Sequence, residues 1–300
     1  MSGLPSHSEI GVRPRVGVVV LTMGQRPEDL SRALKSVLAQ QLVILDIVVV
    51  GNGWRPEFLS AGVRGLFLPE NLGIPAGRNA GAAKVSGEYI FFLDDDAELA
   101  DPLFLSEGIR KLQADSSLGL IQPRITDPTG KTTPRRWIPR LRKGEATDSS
   151  YVFSVLEAAV LMPTRVFEDI GGWGDPYFYA HEGIELAWRV WNAGKTVWYA
   201  GDMVVHHPVT SPTRHETYYR LNARNRVWLA KRNLPWVLVP FYVLSWTGVQ
   251  LVRSLRNRGA GLKPWFSGWV EGWRENPGGR VGMRWLTVAR MTKAGRFPIL

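Results

Sequence analysis

The chain has 300 residues, 45% hydrophobic and 21% charged, a globular composition long enough to bury a full core as one large domain or one domain with an appendage. The absence of cysteine excludes a disulfide framework and thiolate chemistry and fits a reducing compartment. The net charge of +10 is uneven: from Arg253 onward ten Lys/Arg face only Glu271 and Glu275, whereas the first 252 residues carry 27 basic against 25 acidic side chains.

Residues 1–14 lack the apolar run of a signal peptide and read as a short disordered tail. Arg15–Leu21 is a buried strand. Pro27 opens a helix with Glu28 and Asp29 in its first turn and an apolar stripe at Leu30, Leu34, Val37 and Leu38. Leu45–Val50 is a second strand, ended by Gly51-Asn52-Gly53, and Gly65–Leu68 a short third. A small-residue helix around Ala76–Ser86 leads to Tyr89–Leu93, an apolar, aromatic run that reads as a buried central strand. Repeated strand–helix units imply an α/β fold, a parallel sheet with helices on both faces that binds ligands at the carboxyl ends of its strands. Thr22, Asn52 and Asp94-Asp95-Asp96 all fall at such ends.

Three adjacent carboxylates repel one another unless a cation sits among them, and oxygen ligands beside a phosphate substrate suit Mg²⁺ or Mn²⁺. The plainer alternative is an acidic turn capping a following helix. No G-x-G-x-x-G follows the first strand and no Walker loop exists, which argues against a nicotinamide enzyme or a P-loop ATPase. A receiver domain would be about half this length.

Five segments in order resemble the inverting, nucleotide-sugar glycosyltransferases of family 2, of the bacterial cell-envelope type. They are Val18–Thr22 with the Arg26-Pro27-Glu28-Asp29-Leu30 helix start, Asn71–Gly81, Phe91–Asp96, Gly171-Gly172-Trp173, and Tyr177–Arg189. The resemblance implies a GT-A fold over residues 15–215, mostly parallel and Rossmann-like. It also implies a nucleotide-sugar donor and a divalent cation, Mn²⁺ or Mg²⁺. On the family pattern Asp96 holds the metal, Asp94 the ribose or metal, and Asp95 with Asp94 belongs to the donor-nucleotide site. His206 completes the metal site by its distance from the base, and imidazole favours Mn²⁺. Arg78 and Asn79 offer donors to the nucleotide, or form an ordinary exposed helix face. Thr22 and Asn52 line the base and ribose. Where the family's second strand usually ends in an acid that reads a uracil-type base, this chain has Gly51-Asn52, so the nucleotide stays open.

Inversion by single displacement needs one carboxylate to take the acceptor's proton. The family register gives Glu182, then Gly183 where the commonest base lies, then Glu185. Glu182 is the expected base and Glu185 its rival, or else a supporting partner of Arg189 or Trp188. Thr132–Lys143 sets arginines around Trp137 and could hold an anionic or lipid-phosphate acceptor, or be a solvated loop.

Residues 216–300 read as a basic, amphipathic, membrane-associating helical region. Leu234–Val252 carries no charge over 19 residues but contains two prolines, and basic residues flank both ends. Leu262, Trp265, Phe266, Trp269 and Trp273 share one helical face opposite Lys263, Ser267, Glu271 and Arg274, the pattern of an interfacial helix. Three half-buried Trp at ~100 Å² each contribute up to roughly 7 kcal/mol of binding. The alternative is that these helices pack on the body or on a second subunit. Aromatics on one face with charges opposite argue against nucleic acid.

The sequence thus points to a metal-dependent, inverting glycosyltransferase, peripheral on the cytoplasmic face of a membrane, acting on a lipid-linked or cell-envelope glycan in polysaccharide or cell-wall biosynthesis. A homo-oligomer is compatible with it. The competing readings are a sugar-phosphate nucleotidylyltransferase, for which Thr22–Arg26 makes a poor glycine-rich loop, and a glycan-binding relative that lost its base at Gly183.

Overall fold

The computed structural model describes residues 13–140, 144–209, 215–256 and 259–298, so all but Arg13 and Pro14 of the expected N-terminal tail lies outside the described residues. The chain begins β1 (Arg15–Thr22), α1 (Pro27–Leu38), β2 (Ile44–Asn52), β3 (Val63–Leu68), α2 (Ile74–Ala82) and β4 (Tyr89–Asp94). It continues through β5 (Glu98–Leu99), α3 (Phe104–Ala114), β6 (Leu118–Thr126), β7 (Ser150–Tyr151), β8 (Ala159–Pro163) and α4 (Thr164–Asp169). Then follow α5 (Glu182–Asn192), β9 (Thr196–His206), α6 (Glu216–Asn233), α7 (Leu238–Arg256), α8 (Leu262–Arg274) and α9 (Trp285–Lys293).

Among the described residues nine strands form one sheet in the order β3-β2-β1-β4-β8-β6-β9-β5, with β7 paired to β9. The β3-β2-β1-β4 half is parallel, as the strand–helix alternation requires. The β8 strand runs antiparallel between β4 and β6. This reversal matters for the site. An antiparallel neighbour begins where β4 ends, so the residues just before β8 lie at the ligand edge; the Asp94 amide donates to Ala158 O at 2.9 Å.

Period-2 alternation sends Val16, Val18 and Val20 of β1 to one face and Val19 to the other, and two hydrophobic cores grow on the two faces. The first face takes α1 through Leu30, Ala33, Leu34 and Val37, at about 1.5–3 kcal/mol for each large apolar side chain fully buried. Leu38, expected on that stripe, is 39% exposed. On the opposite face α2 lies directly on the strands. A Cβ at Gly81 would come within 2.5 Å of Val19 and 2.7 Å of Val50, and one at Gly77 within 2.6 Å of Leu21. Small residues let this helix approach closely enough to carry Arg78 into the interior.

The C-terminal helices add to the second core: Val227–Ala230 of α6, Val239 and Val243 of α7, and Val288 and Met291 of α9 join residues of β1, β2 and β4. Helix α8 packs on α6 through its glycines, a Cβ at Gly268 falling 1.9 Å from Arg220 O. Glu271 holds the pair together, 2.8 Å from Arg220 and 3.2 Å from Arg224. The tryptophan face of α8 is therefore not wholly free. Trp265 is buried and Trp269 half-buried, whereas Phe266 and Trp273 remain exposed. Phe241, Leu244, Leu251, Val252 and Leu255 of α7 are exposed as well. Among the described residues no helix is long and apolar enough to cross a membrane.

Candidate active site

Three carboxylates leave the end of β4 and take different partners. Asp94 accepts from Arg78 Nη2 at 2.6 Å. Asp95 is buried, accepting from Thr22 Oγ1 at 2.5 Å and from Arg26 Nη2 at 2.6 Å. Burial pushes Asp95 up to about 6, against the pull of Thr22 and Arg26. Asp96, also buried, pairs with Arg26 Nη1 and lies 3.2 Å from His207 Nε2. Burial drives Asp96 upward, but the His207 hydrogen bond and charge, with Arg26, outweigh it and hold the carboxyl below its usual range. The same contact raises His207, against its own desolvation.

The histidine of this cluster is His207, correcting the expectation of His206. Ligand atoms of Asp94, Asp96 and His207 all lie within 4.8 Å of one another. His206 ends β9 with its Nδ1 3.0 Å from Thr126 Oγ1 and 3.2 Å from Asp127 O. Successive residues of an extended chain point to opposite sides, so moving one position changes which imidazole meets the acids. Trp137 stands edge-on to His207 at 5.3 Å and is buried, so the Thr132–Lys143 segment supports the cluster with its aromatic residue. Arg140 is spent on the carbonyls of Asp148 and Glu145, and residues 141–143 of that segment lie outside the described residues.

Beside the acids opens a cavity of about 400 Å³, lined by Thr22, Arg26, Asn52, Asp94, Asp95 and Tyr179 among others. Its size suits a small ligand. Asn52 lies in it but is committed: its side chain donates to Asn71 Oδ1 at 2.8 Å and accepts from the Leu72 amide at 2.8 Å. Arg78 is buried rather than on an exposed face, its Nη2 bridging Asp94 and Glu157 O, the latter at 2.9 Å, over the Trp173 ring. Its Nη1 is buried without a hydrogen-bond partner. Asn79 does not join this group. It donates to Trp173 O at 3.0 Å and accepts from the Trp173 amide at 2.9 Å, fixing the Gly171-Gly172-Trp173 turn.

Across the cavity, the chain entering α5 has three non-glycine residues at positive φ: Phe178 at 63°, Ala180 at 70° and His181 at 78°. Such conformations cost energy and persist only where surroundings enforce them. Gly73, at φ 86°, lets the Ile74 amide donate to Phe178 O at 2.8 Å; a Cβ there would fall 2.5 Å from that oxygen. From α6, the fully buried Asn225 donates to Tyr177 O, Tyr179 O and Ala180 O at 2.6–3.0 Å. This clamp sets the start of α5.

Glu182 is 2% exposed, its Oε2 without a partner, and burial with the nearby Glu157 charge raises it to about 8. Glu185 has a different fate. Wholly buried, it accepts from Arg232 Nε at 2.7 Å and Asn233 Nδ2 at 2.8 Å and pairs with Arg189 at 3.2 Å. That is the supporting role expected as its alternative, extended by two α6 residues that the sequence reading placed in a separate region. Sequence reasoning also missed Arg26, His207, Asn225 and Glu157.

The family profile "Glycosyl transferase family 2" matches residues 18–171. Among curated relatives, the O-antigen biosynthesis protein RfbC of Myxococcus xanthus is 25% identical over 255 residues, covering 74% of this chain and 20% of that protein. Pre-mycofactocin glycosyltransferase of Mycobacterium tuberculosis (strain CDC 1551 / Oshkosh) is 24% identical over 213 residues, covering 68% of this chain and 43% of that one. The chain thus spans less than half the length of either relative. A structure of GalNAc-T7 with UDP, GalNAc and Mn²⁺ superposes with a TM-score of 0.62 at 16% identity, over 96% of this chain and 59% of that one. The mannosyltransferase PcManGT from Pyrobaculum calidifontis, in complex with GDP-Man and Mn²⁺, gives 0.54 at 14% identity, over 87% and 88%. At these identities the likeness is one of fold, the GT-A fold.

Proposed function

The chain belongs to glycosyl transferase family 2, and on that premise we propose that it transfers a sugar, with inversion, from a nucleotide-diphosphate donor to a hydroxyl of a lipid-linked or cell-envelope glycan. The observation that carries the proposal is the Asp94–Asp96–His207 cluster on the carboxyl edge of the sheet, whose Asp94 lines the ligand-sized cavity. Two carboxylates and an imidazole make a donor set that fits a divalent cation, Mn²⁺ better than Mg²⁺. When bound, such a cation offsets charge on the leaving diphosphate. The two fold relatives named above, one with UDP, GalNAc and Mn²⁺ and the other with GDP-Man and Mn²⁺, support the same donor class.

The chain's own residues supply the rest. Arg78 holds Asp94 in place and keeps a free N–H at Nη1. Thr22 and Arg26 fix Asp95 beside the donor cavity. Glu182, at the start of α5, takes the acceptor proton in its ionised form; burial raises it to about 8, which makes that form a strong base. The exposed apolar side chains of α7 and α8, with the basic C-terminal stretch, support peripheral attachment to the cytoplasmic face of an anionic membrane.

A thermal-shift panel of UDP-, GDP- and dTDP-sugars tests the donor assignment. One nucleotide class should raise Tm in the presence of Mn²⁺ and not in EDTA. No response from any of the three rejects the donor class.

A further inference from the structure

Gly183 stands where the family register places the commonest base, and space for a side chain there is already filled. A Cβ on Gly183 would lie 2.2 Å from Glu157 Oε1 and 2.4 Å from Val155 O. The carboxylate of Glu157, from the loop before β8, occupies the position and accepts from the Gly183 amide at 2.7 Å. That amide is one of the unpaired donors of the first turn of α5, where negative charge is favoured.

The fold accounts for the arrival of this acid. Because β8 runs antiparallel to β4, the residues before it fall beside the end of β4, and Arg78 Nη2 ties Glu157 O to Asp94 Oδ1. Glu157 therefore meets Asp94 through Arg78 by its backbone carbonyl and the first turn of α5 by its carboxylate. As a residue Glu157 is half-buried, whereas Glu182 is 2% exposed. The two carboxyls act on each other, and burial raises both. Tyr179, which lines the donor cavity, feels the charge of both.

We propose that Glu157 supplies from outside the motif the carboxylate that position 183 lacks, and that Glu157 and Glu182 work as one base. This rests on the transferase reading above and deepens it. In the step, the acceptor oxygen forms a bond to the anomeric carbon while the bond from that carbon to the diphosphate oxygen breaks. The electron pair leaves with the nucleoside diphosphate. The acceptor's proton passes to the carboxyl pair and is later lost to water.

The test uses the full-length protein, Mn²⁺ and the nucleotide-sugar that stabilises it most in the three-class panel, with water as acceptor and nucleoside diphosphate release as readout. Glu157→Gln should lower kcat by about 100-fold or more, within the usual contribution of a general base, while donor Kd stays within about threefold and Tm is retained. Glu182→Gln should do the same. The double variant should lose no more than either single, since residues acting as a unit are non-additive. Release from Glu157→Gln within fivefold of wild type overturns the proposal, as does a kcat loss matched by a fall in Tm or donor affinity, the mark of a scaffold role. Multiplicative losses in the double variant overturn the single-base pairing. A wild type that releases no nucleotide from any donor sinks the transferase reading instead, and normal turnover by Glu182→Gln alone removes Glu182 while leaving Glu157 as the base.

Discussion

Glu185→Gln separates support from chemistry within the α5 motif. The Glu185 carboxylate is fully buried and bonded to Arg232 Nε, Asn233 Nδ2 and Arg189. A glutamine matches its shape but removes the charge that offsets the buried Arg232 and turns an NH₂ toward one of its donors. Breaking a buried pair by removing one partner costs about 3–5 kcal/mol. At about 2–4 °C per kcal/mol for a domain of this size, Tm should fall by roughly 6–20 °C. Because the residue contacts no part of the donor cavity, the folded fraction should keep its donor Kd and its kcat per folded molecule. Thermal melts beside nucleotide release, corrected for active protein by donor titration, make the comparison. A variant with the wild-type Tm and lost turnover would refute this, and would make Glu185 the base.

Three further outcomes follow from the geometry. His207→Ala should weaken Mn²⁺ binding by about 10-fold or more in titration calorimetry and His206→Ala by less than about threefold; the reverse ranking would restore the neighbouring histidine as the ligand. A carboxyl raised on folding keeps a proton that the unfolded chain has lost, so Glu182 should cost the fold stability as pH rises from about 4.5 to about 8. Wild-type Tm should therefore fall across that window relative to Glu182→Gln, and parallel profiles would contradict the raised carboxyl. In vesicle flotation with anionic lipid, Leu244, Leu255, Phe266 and Trp273 changed together to Ser should release the protein without altering donor binding; equal flotation would reject this face as the anchor.

The first half of the sheet was legible because β1, β2 and β4 carry apolar runs closed by a polar residue, as Val16–Thr22 and Tyr89–Asp94 show. The acids at Asp94–Asp96 stood out for the same reason. What periodicity cannot carry is register, and the choice between His206 and His207 is a register question one residue wide. Nor can it tell which way a strand runs. The antiparallel β8 is what brings Glu157 to Asp94, and 63 positions separate the two in sequence. The aromatic face of α8 was visible, but a stripe that reads as membrane-facing also describes a core face. The spacing of Gly268 and Gly272, which admits α6, was the discriminating signal. Arg232 and Asn225 lie on a helix of weak amphipathicity, and only packing shows that they belong to the site.

The central claim is that the acids at the end of β4 bind a divalent cation that a nucleotide-sugar needs. Titration calorimetry of the best panel donor, in Mn²⁺ and in EDTA, tests it most directly on wild type and Asp96→Ala. The account predicts binding by wild type in Mn²⁺ alone and none by Asp96→Ala in either condition. Equal affinity with and without the metal, or wild-type affinity in Asp96→Ala, would contradict it.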